Sequence, residues 1–242
     1  MKALSLFLLI VLPIASFSQY YQDHKIEDTT LISPWIVANI TEYEGVYFYG
    51  ISEYETTSFL AIQDELIDFQ ISNAGKEINN TNGDFEGWES NTENYTNVKI
   101  IGNKFYSDQT NGEFVRYSIG GKENKCLRLD TPPKNVYKGE SELGTFSPNS
   151  TTTYLHGKYS HLKFTILDLD ELRKNNLSEL KIMRNEIFVR YGYKFKVGGQ
   201  MHTYFSKQKW YSAEKEDVTG HLTKIEKKNI ENILKIEKEL ES

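Results

Sequence analysis

The spacing of apolar residues changes once along the chain, and the change divides it into two parts. Between Trp35 and Leu129 apolar and polar residues alternate, whereas from Leu177 onward apolar residues recur every three or four positions. Alternation is typical of half-buried β-strands, and a spacing of three or four residues is typical of amphipathic helices. The pattern predicts a two-part α+β protein, with an N-terminal all-β antiparallel sandwich or barrel and a small C-terminal domain of three helices.

Turn residues separate the predicted strands at short intervals. Asp64-Glu65 joins two apolar runs, and Gly102-Asn103 and Asn111-Gly112 each precede another run. Such two-residue connections favour hairpins. The polar stretch 73–94 lacks alternation and is expected to be a long loop, and the Gly-, Ser- and Thr-rich stretch 134–160 is expected to lead irregularly out of the sheet.

Three tyrosines fall on one face of a predicted strand, at positions 43, 47 and 49. A row of tyrosines can stack on sugar rings, because each ring offers a flat apolar face and a polar tip. Aromatic residues are also common in strands, where they pack across the pleated sheet. Packing is the favoured interpretation of this row, and sugar binding is the alternative.

The C-terminal part has the signals of three helices. The first is expected to begin at Ser178 as N-cap and to close at Gly192, since glycine favours the left-handed turn that ends a helix. A short helix is predicted over 201–207 and a long one over 219–240.

Charged residues interrupt the apolar faces of these helices. Arg184 and Arg190 border the face of the first helix, and Glu226 and Asn229 lie on or beside that of the last. Buried charges persist only when they are paired. We therefore expect a polar network between the two helices, in which Arg190, with Arg184 as second candidate, pairs with Glu226 while Asn229 satisfies nearby groups.

The helical part also carries a distinctive combination of residues. Its matching positions are the run Leu180 to Gly192, then Phe195, Tyr204-Phe205, Trp210-Tyr211, Ile225-Glu226 and Asn229-Ile230. This combination resembles the YARHG domain family over about residues 177–238. The resemblance implies an extracytoplasmic bacterial module of small helical fold, and it implies no established activity.

The five-residue signature of that family is altered in this chain. It reads Phe188-Val189-Arg190-Tyr191-Gly192, so that Tyr191 stands where the family has histidine. Tyrosine titrates near 10 and cannot replace histidine as a base at neutral pH. The candidate binding residues, for which a structural network is the favoured interpretation, are Arg184, Asn185, Glu186, Arg190, Tyr191, Trp210, Tyr211, Glu226 and Asn229.

The first residues have the order of a secretory signal. A positive charge at Lys2 precedes the apolar run 4–14, and Ser16 and Ser18 supply the small residues that signal peptidase requires. We expect cleavage after Ser18, a periplasmic or secreted mature protein, and no transmembrane segment in it. The predicted division is a signal peptide at 1–18, a β domain at 19–160 and a helical domain at 161–242.

Charge is distributed unevenly between the two parts. Residues 19–177 carry a net charge of −10, and residues 178–242 carry +3. We identify no basic stripe interleaved with aromatic residues, so nucleic acid is not an expected partner. Cys126 is the single cysteine, which excludes an internal disulfide, and its alternating surroundings predict a small buried side chain.

No arrangement of residues typical of catalysis is evident. His156 and His161 lie five positions apart without an evident third ligand, so neither a metal site nor a cofactor is predicted. The favoured function is a non-catalytic envelope module that binds a glycan, peptide or protein, or acts as a scaffold. The alternative is a cell-wall-directed hydrolase or peptidase that uses Glu186 or Glu226 as acid or base.

Overall fold

The computed structural model describes residues 29–50, 56–79, 85–119, 121–131, 133, 143–148 and 155–242. The predicted signal peptide at 1–18 lies outside these residues, as does most of the stretch 134–154. The predicted two-part α+β organisation is confirmed, with an antiparallel sheet followed by a helical region. Within the described residues the sheet has ten strands and is open rather than closed into a barrel.

The strands account for most of the chain before the helices. In order they are β1 Ile32–Pro34, β2 Gly45–Tyr49, β3 Thr56–Gln63, β4 Leu66–Asn79, β5 Phe85–Asn94, β6 Lys99–Ile101, β7 Lys104–Tyr106, β8 Gly112–Ile119, β9 Lys122–Leu129 and β10 Leu143–Ser147. They pair in the order β5-β4-β3-β2-β10-β9-β8-β7-β6, with β1 on β8. The hairpin turns predicted at Asp64-Glu65 and Gly102-Asn103 are confirmed.

Two stretches expected to be irregular contain strands. The polar stretch 73–94 forms parts of β4 and β5, paired from Gln70–Asn94 to Asn79–Phe85. The prediction of a long loop was wrong because main-chain hydrogen bonds hold this hairpin, and such bonds do not require an alternating apolar pattern.

The second such stretch holds the strand at the centre of the sheet. β10 pairs with β2 on one side and β9 on the other, although 134–160 was expected to lead out of the sheet. Gly144 lies against the ring of Tyr49, and a Cβ at this position would overlap that ring. Close packing on a large side chain therefore requires glycine here, and glycine had been interpreted as a sign of irregular structure.

One face of the sheet encloses an aromatic core. Tyr47 and Tyr49 on β2 are fully buried, together with Tyr43, which ends a short 3₁₀ helix at Ile40–Tyr43 instead of lying on the strand. Each hydroxyl donates a hydrogen bond to a main-chain oxygen: Tyr43 to that of Trp35, Tyr47 to that of Tyr43, and Tyr49 to that of Leu127. These rings are packed in the core, so they offer no face to a sugar.

The helical region contains four helices in the described chain. They are α1 Leu169–Leu172, α2 Leu177–Val189, α3 Gln200–Phe205 and α4 Lys224–Glu241. The predicted three correspond to α2, α3 and α4, and α1 is an additional single turn. No helix among the described residues is both long enough and apolar enough to cross a membrane.

The helix boundaries differ from the sequence prediction at two N-termini. The cap of α2 is Asn176, whose side chain accepts from Glu179 N, and Ser178 lies inside the helix. The long helix begins after Thr223, which forms a capping box with Glu226, while 219–221 is a separate 3₁₀ turn. Gly192 has φ +78°, as expected for a residue that closes a helix.

The helical region packs on the outer face of the sheet. Phe48 and Phe59 contact Phe164 and Ile225 in a small apolar core between the two parts. Asp68 on β4 also accepts a 2.7 Å hydrogen bond from Ile225 N in the first turn of α4. This contact satisfies a helix N-terminal donor and places a negative charge where the helix dipole favours it.

Candidate functional site

Four buried polar side chains meet where the sheet and the helices join. Lys163 Nζ lies 2.5 Å from Gln70 Oε1, 2.6 Å from the Tyr191 hydroxyl and 3.6 Å from Glu226 Oε2. The Tyr191 hydroxyl donates to Glu226 Oε2 at 2.7 Å. Lys163 and Glu226 have side chains that are 3% and 0% exposed. We call these four residues the junction cluster.

Burial changes the proton affinity of this cluster. It lowers the pKa of the Lys163 ammonium below its ordinary value, while the Glu226 carboxylate acts in the opposite direction. Burial also raises the pKa of Tyr191 well above its ordinary value, and the negative charge of Glu226 adds to that rise. Tyr191 is therefore a neutral hydrogen-bond donor at physiological pH, and cannot act there as a general base.

A second buried network surrounds Glu186 in the last turn of α2. Glu186 accepts from the main-chain nitrogens of Lys158 at 3.0 Å and Tyr159 at 2.6 Å, and it forms an ion pair with Arg190 at 2.9 Å. Arg190 also donates to the carbonyl of Tyr159. Gly157, with φ +106°, lies so close to Glu186 that a Cβ would overlap the carboxylate. The Glu186–Arg190 pair therefore holds the chain that enters the helical region.

The predicted pairing of Arg190 with Glu226 was wrong. Arg190 pairs with Glu186 on its own helix, and Glu226 interacts with Tyr191, Lys163 and its capping partner Thr223. The i,i+4 spacing on one helix brings Arg190 and Glu186 together without a tertiary contact. Three atoms of these groups have no partner among the described residues: Arg190 Nε, Arg190 Nη1 and Glu226 Oε1.

Of the other candidate residues, Arg184 and Asn229 connect α4 to other parts of the helical region, whereas Asn185 does not. Arg184 pairs with Glu237 of α4 at 3.1 Å, and Asn185 donates to the carbonyl of Lys181 on its own helix. Asn229 is fully buried, accepts from Leu167 N at 2.7 Å and donates to two main-chain oxygens. The expected role of Asn229 in satisfying nearby groups is confirmed.

Trp210 and Tyr211 take part in neither buried network, although the Trp210 ring stacks on His156, beside Gly157, at 6.3 Å between ring centroids. Each is half-buried in a cluster of aromatic rings around Phe205, at centroid distances of 6.4 Å and 6.2 Å. The Tyr211 hydroxyl donates to the carbonyl of Tyr193. The nine candidates therefore do not form one site: seven lie in or beside the helix contacts, and these two belong to the aromatic cluster around Phe205.

Two observations on the described residues bear on catalysis. In the part of the chain that the structure describes, no group of three His, Cys, Asp or Glu side chains is placed to hold a metal ion. A groove of about 680 Å³ runs between the β3–β4 turn and α4, and it is lined by Asp64, Asp168, Lys228 and Lys235 among others. Neither Glu186 nor Glu226 lines this groove.

The helical region contains both buried networks, and it is also the part of the chain that matches a known family. Residues 158–238 match the YARHG domain. The match begins at Lys158, earlier than the resemblance at 177–238 indicated, and so includes Tyr159 and Lys163. YARHG is an extracytoplasmic module of unclear function, and the region before it matches no family. Neither a curated protein nor a solved structure matches the chain.

Several members of the buried networks were not predicted from the sequence. Lys163, Gln70 and Asp68 lie within patterns that gave no indication of burial, because each was one polar residue in an ordinary strand or turn. The one sequence feature that indicated buried partners was the position of Glu226 beside the apolar face of α4. A buried carboxylate requires partners, and the sequence does not show from which distant segment these come.

Proposed function

We propose that the chain is an exported, non-catalytic module of the bacterial cell envelope, in which the sheet supports the YARHG domain as a binding or scaffold unit. The family match supports an extracytoplasmic location. The order of charge, apolar run and small residues over 1–18 supports export, with cleavage after Ser18.

The observation that carries the non-catalytic assignment is the burial of both candidate carboxylates. Glu186 and Glu226 are 1% and 0% exposed, and each accepts hydrogen bonds from its own surroundings. A general acid or base must come within hydrogen-bond reach of its substrate. Side chains that hold the fold and are closed to solvent do not meet that requirement.

Incubation of the purified protein with isolated cell wall tests this function. Co-sedimentation without release of soluble fragments is expected of a binding module. Release of fragments that disappears in Glu186→Gln or Glu226→Gln, with both variants folded, would instead establish the hydrolase alternative.

The predicted partners remain an envelope glycan, peptide or protein. The two predicted parts, 19–160 and 161–242, share apolar contacts through Phe164 and Ile225. We therefore expect the sheet to act as a support on which the helical part depends.

A further inference from the structure

One segment of the helical region combines basic and aromatic residues without any acid. From Ile187 to Ala213 the chain has five Lys or Arg residues and no Asp or Glu, although its overall charge is −6. Residues 193–196 read Tyr-Lys-Phe-Lys and residues 207–211 read Lys-Gln-Lys-Trp-Tyr, so both runs combine lysines with aromatic residues. Ten residues separate the two short runs, so they do not form one continuous basic stripe in the sequence.

The fold brings these two runs together. Phe195 from the first stacks on Phe205 at 5.6 Å between ring centroids, and Phe195 lies 6.4 Å from Tyr211 of the second. Trp210 packs edge-on against Phe205 at 6.4 Å. The chain segments that carry these lysines therefore meet at one aromatic cluster.

Three of these lysines have charges free to bind a ligand. Lys194 has a partner in Glu216 at 3.8 Å, whereas Lys196, Lys207 and Lys209 are exposed and have no carboxylate within ion-pair distance among the described residues. We define the basic aromatic surface as these three lysines with the half-buried rings of Tyr204 and Trp210. Uncompensated lysines on an otherwise acidic protein attract anions.

The exposed side chains of this surface favour a glycan over a lipid bilayer. Val197, 81% exposed, is the large apolar side chain that projects most from this segment, while the rings pack on one another and are half-buried or buried. Insertion into a bilayer requires a continuous apolar face together with the basic residues. Half-exposed aromatic rings that keep a polar edge in water suit the mixed surface of a sugar.

We propose that the basic aromatic surface binds an anionic polysaccharide of the envelope, one whose sugars carry carboxylate groups. This inference rests on the proposed function as an envelope binding module, and it names a surface and a ligand class for that module. The ammonium groups of Lys196, Lys207 and Lys209 would pair with successive carboxylates along the polymer, and Tyr204 and Trp210 would contact the sugar rings between them.

Binding of polygalacturonate by the purified full chain tests the proposal, with dextran as neutral polymer. We expect the protein to bind polygalacturonate and not dextran. This binding should weaken as salt is raised from about 50 to 500 mM, because exposed charges are screened. The triple variant Lys196→Gln, Lys207→Gln, Lys209→Gln should bind roughly tenfold or more weakly.

A matched variant controls for the loss of three positive charges. Lys227→Gln, Lys235→Gln and Lys238→Gln remove the same charge from the exposed side of α4 and should leave binding within about twofold. Equal loss in both triple variants, or equal binding of dextran, would overturn the assignment. So would tighter binding to vesicles of phosphatidylglycerol than to polygalacturonate, with none to phosphatidylcholine, which would make the surface a membrane contact.

The same variants separate this inference from the proposed function. If the triple variant of the basic aromatic surface still co-sediments with cell wall as the parent protein does, the surface assignment fails and the module function stands. If the parent protein does not co-sediment with cell wall but binds polygalacturonate, the surface assignment stands and the wider function fails.

Discussion

At the residue scale, buried charges in this protein pair with near neighbours along the chain or with distant segments that the sequence does not reveal. Arg190 and Glu186 are one helical turn apart, and their side chains are 6% and 2% exposed. Removing one member of such a pair leaves the other buried and unpaired, which typically costs about 3–5 kcal/mol.

The pairing of Arg190 can be measured by double-mutant cycles. Arg190→Ala and Glu186→Ala should each lower the free energy of unfolding by about 3 kcal/mol or more, and their combination should show a coupling of about 1–3 kcal/mol. The cycle of Arg190→Ala with Glu226→Ala should show a smaller coupling, because these residues have separate partners. Denaturant unfolding measures both, and a larger coupling in the second cycle would contradict the observed arrangement.

Buried tyrosines make the protein sensitive to alkali. Burial raises the pKa of Tyr47, Tyr49 and Tyr191 well above the ordinary value of 10.0. The folded state therefore retains protons that the unfolded chain releases. The contribution of these tyrosines to the free energy of unfolding is complete below about pH 10 and is lost as the pH rises above that value. Lys163 has the opposite effect, because burial lowers its pKa. It decreases the free energy of unfolding, but only below its ordinary pKa of 10.5.

An alkaline titration should show this linkage directly. Tyrosinate absorbance should rise in two stages, first for exposed tyrosines and then cooperatively with loss of far-UV circular dichroism. If all tyrosines ionise near pH 10 while the circular dichroism stays native, the burial of these hydroxyls is not as described.

At the scale of elements, contacts that the sequence does not show hold the helices and the sheet in place. Asp68 of β4 accepts from the first turn of α4, more than 150 positions later, at Ile225. We expect Asp68→Ala to lower the free energy of unfolding by about 1–2 kcal/mol, as for the loss of a helix cap. Asp68→Asn, which keeps an acceptor and loses the charge, should cost less. Asp170→Asn, at a side chain 85% exposed, provides the control and should be nearly neutral.

The central strand β10 offers a second test at this scale. Gly144→Ala would place a methyl group against the Tyr49 ring, and overpacking of this kind typically costs about 1–3 kcal/mol. Gly220→Ala has open space around its Cβ and should change stability little. Thermal melts of the two variants compare them, and equal melting temperatures would place Gly144 outside the packed centre of the sheet.

The elements that the sequence predicts well are those whose own apolar spacing determines them. The hairpin at Asp64-Glu65 and the helices α2 and α4 follow from local periodicity, and Asn229 follows from its place in an apolar stripe. The hairpin of β4 and β5 and the strand β10 do not, because main-chain pairing with neighbours decides them. In the same way, the position of Glu226 predicts that this carboxylate has a partner, but local periodicity does not identify that partner as Lys163.

At the scale of the whole molecule, the two parts share an interface and should unfold together. Phe164 and Ile225 fill a core against the sheet, and Lys163 reaches Gln70 of β4. Calorimetry should therefore record one cooperative transition, with the calorimetric and van't Hoff enthalpies equal. Two transitions, or a separate fragment of 155–242 with native helical circular dichroism, would show that the helical part is autonomous.

The position of β10 also sets the order in which the molecule can be assembled. Phe48 in β2 pairs with Thr145 in β10, nearly a hundred residues later, so the middle of the sheet is missing until most of the polypeptide has been made. Pairing across such long separations slows folding, because the loop between the partners must be closed first. Until β10 is made, the partner that lies between β2 and β9 is missing and the sheet cannot be completed. In the export that we propose, slow completion of the sheet would leave the chain incompletely folded while it passes through a secretion channel.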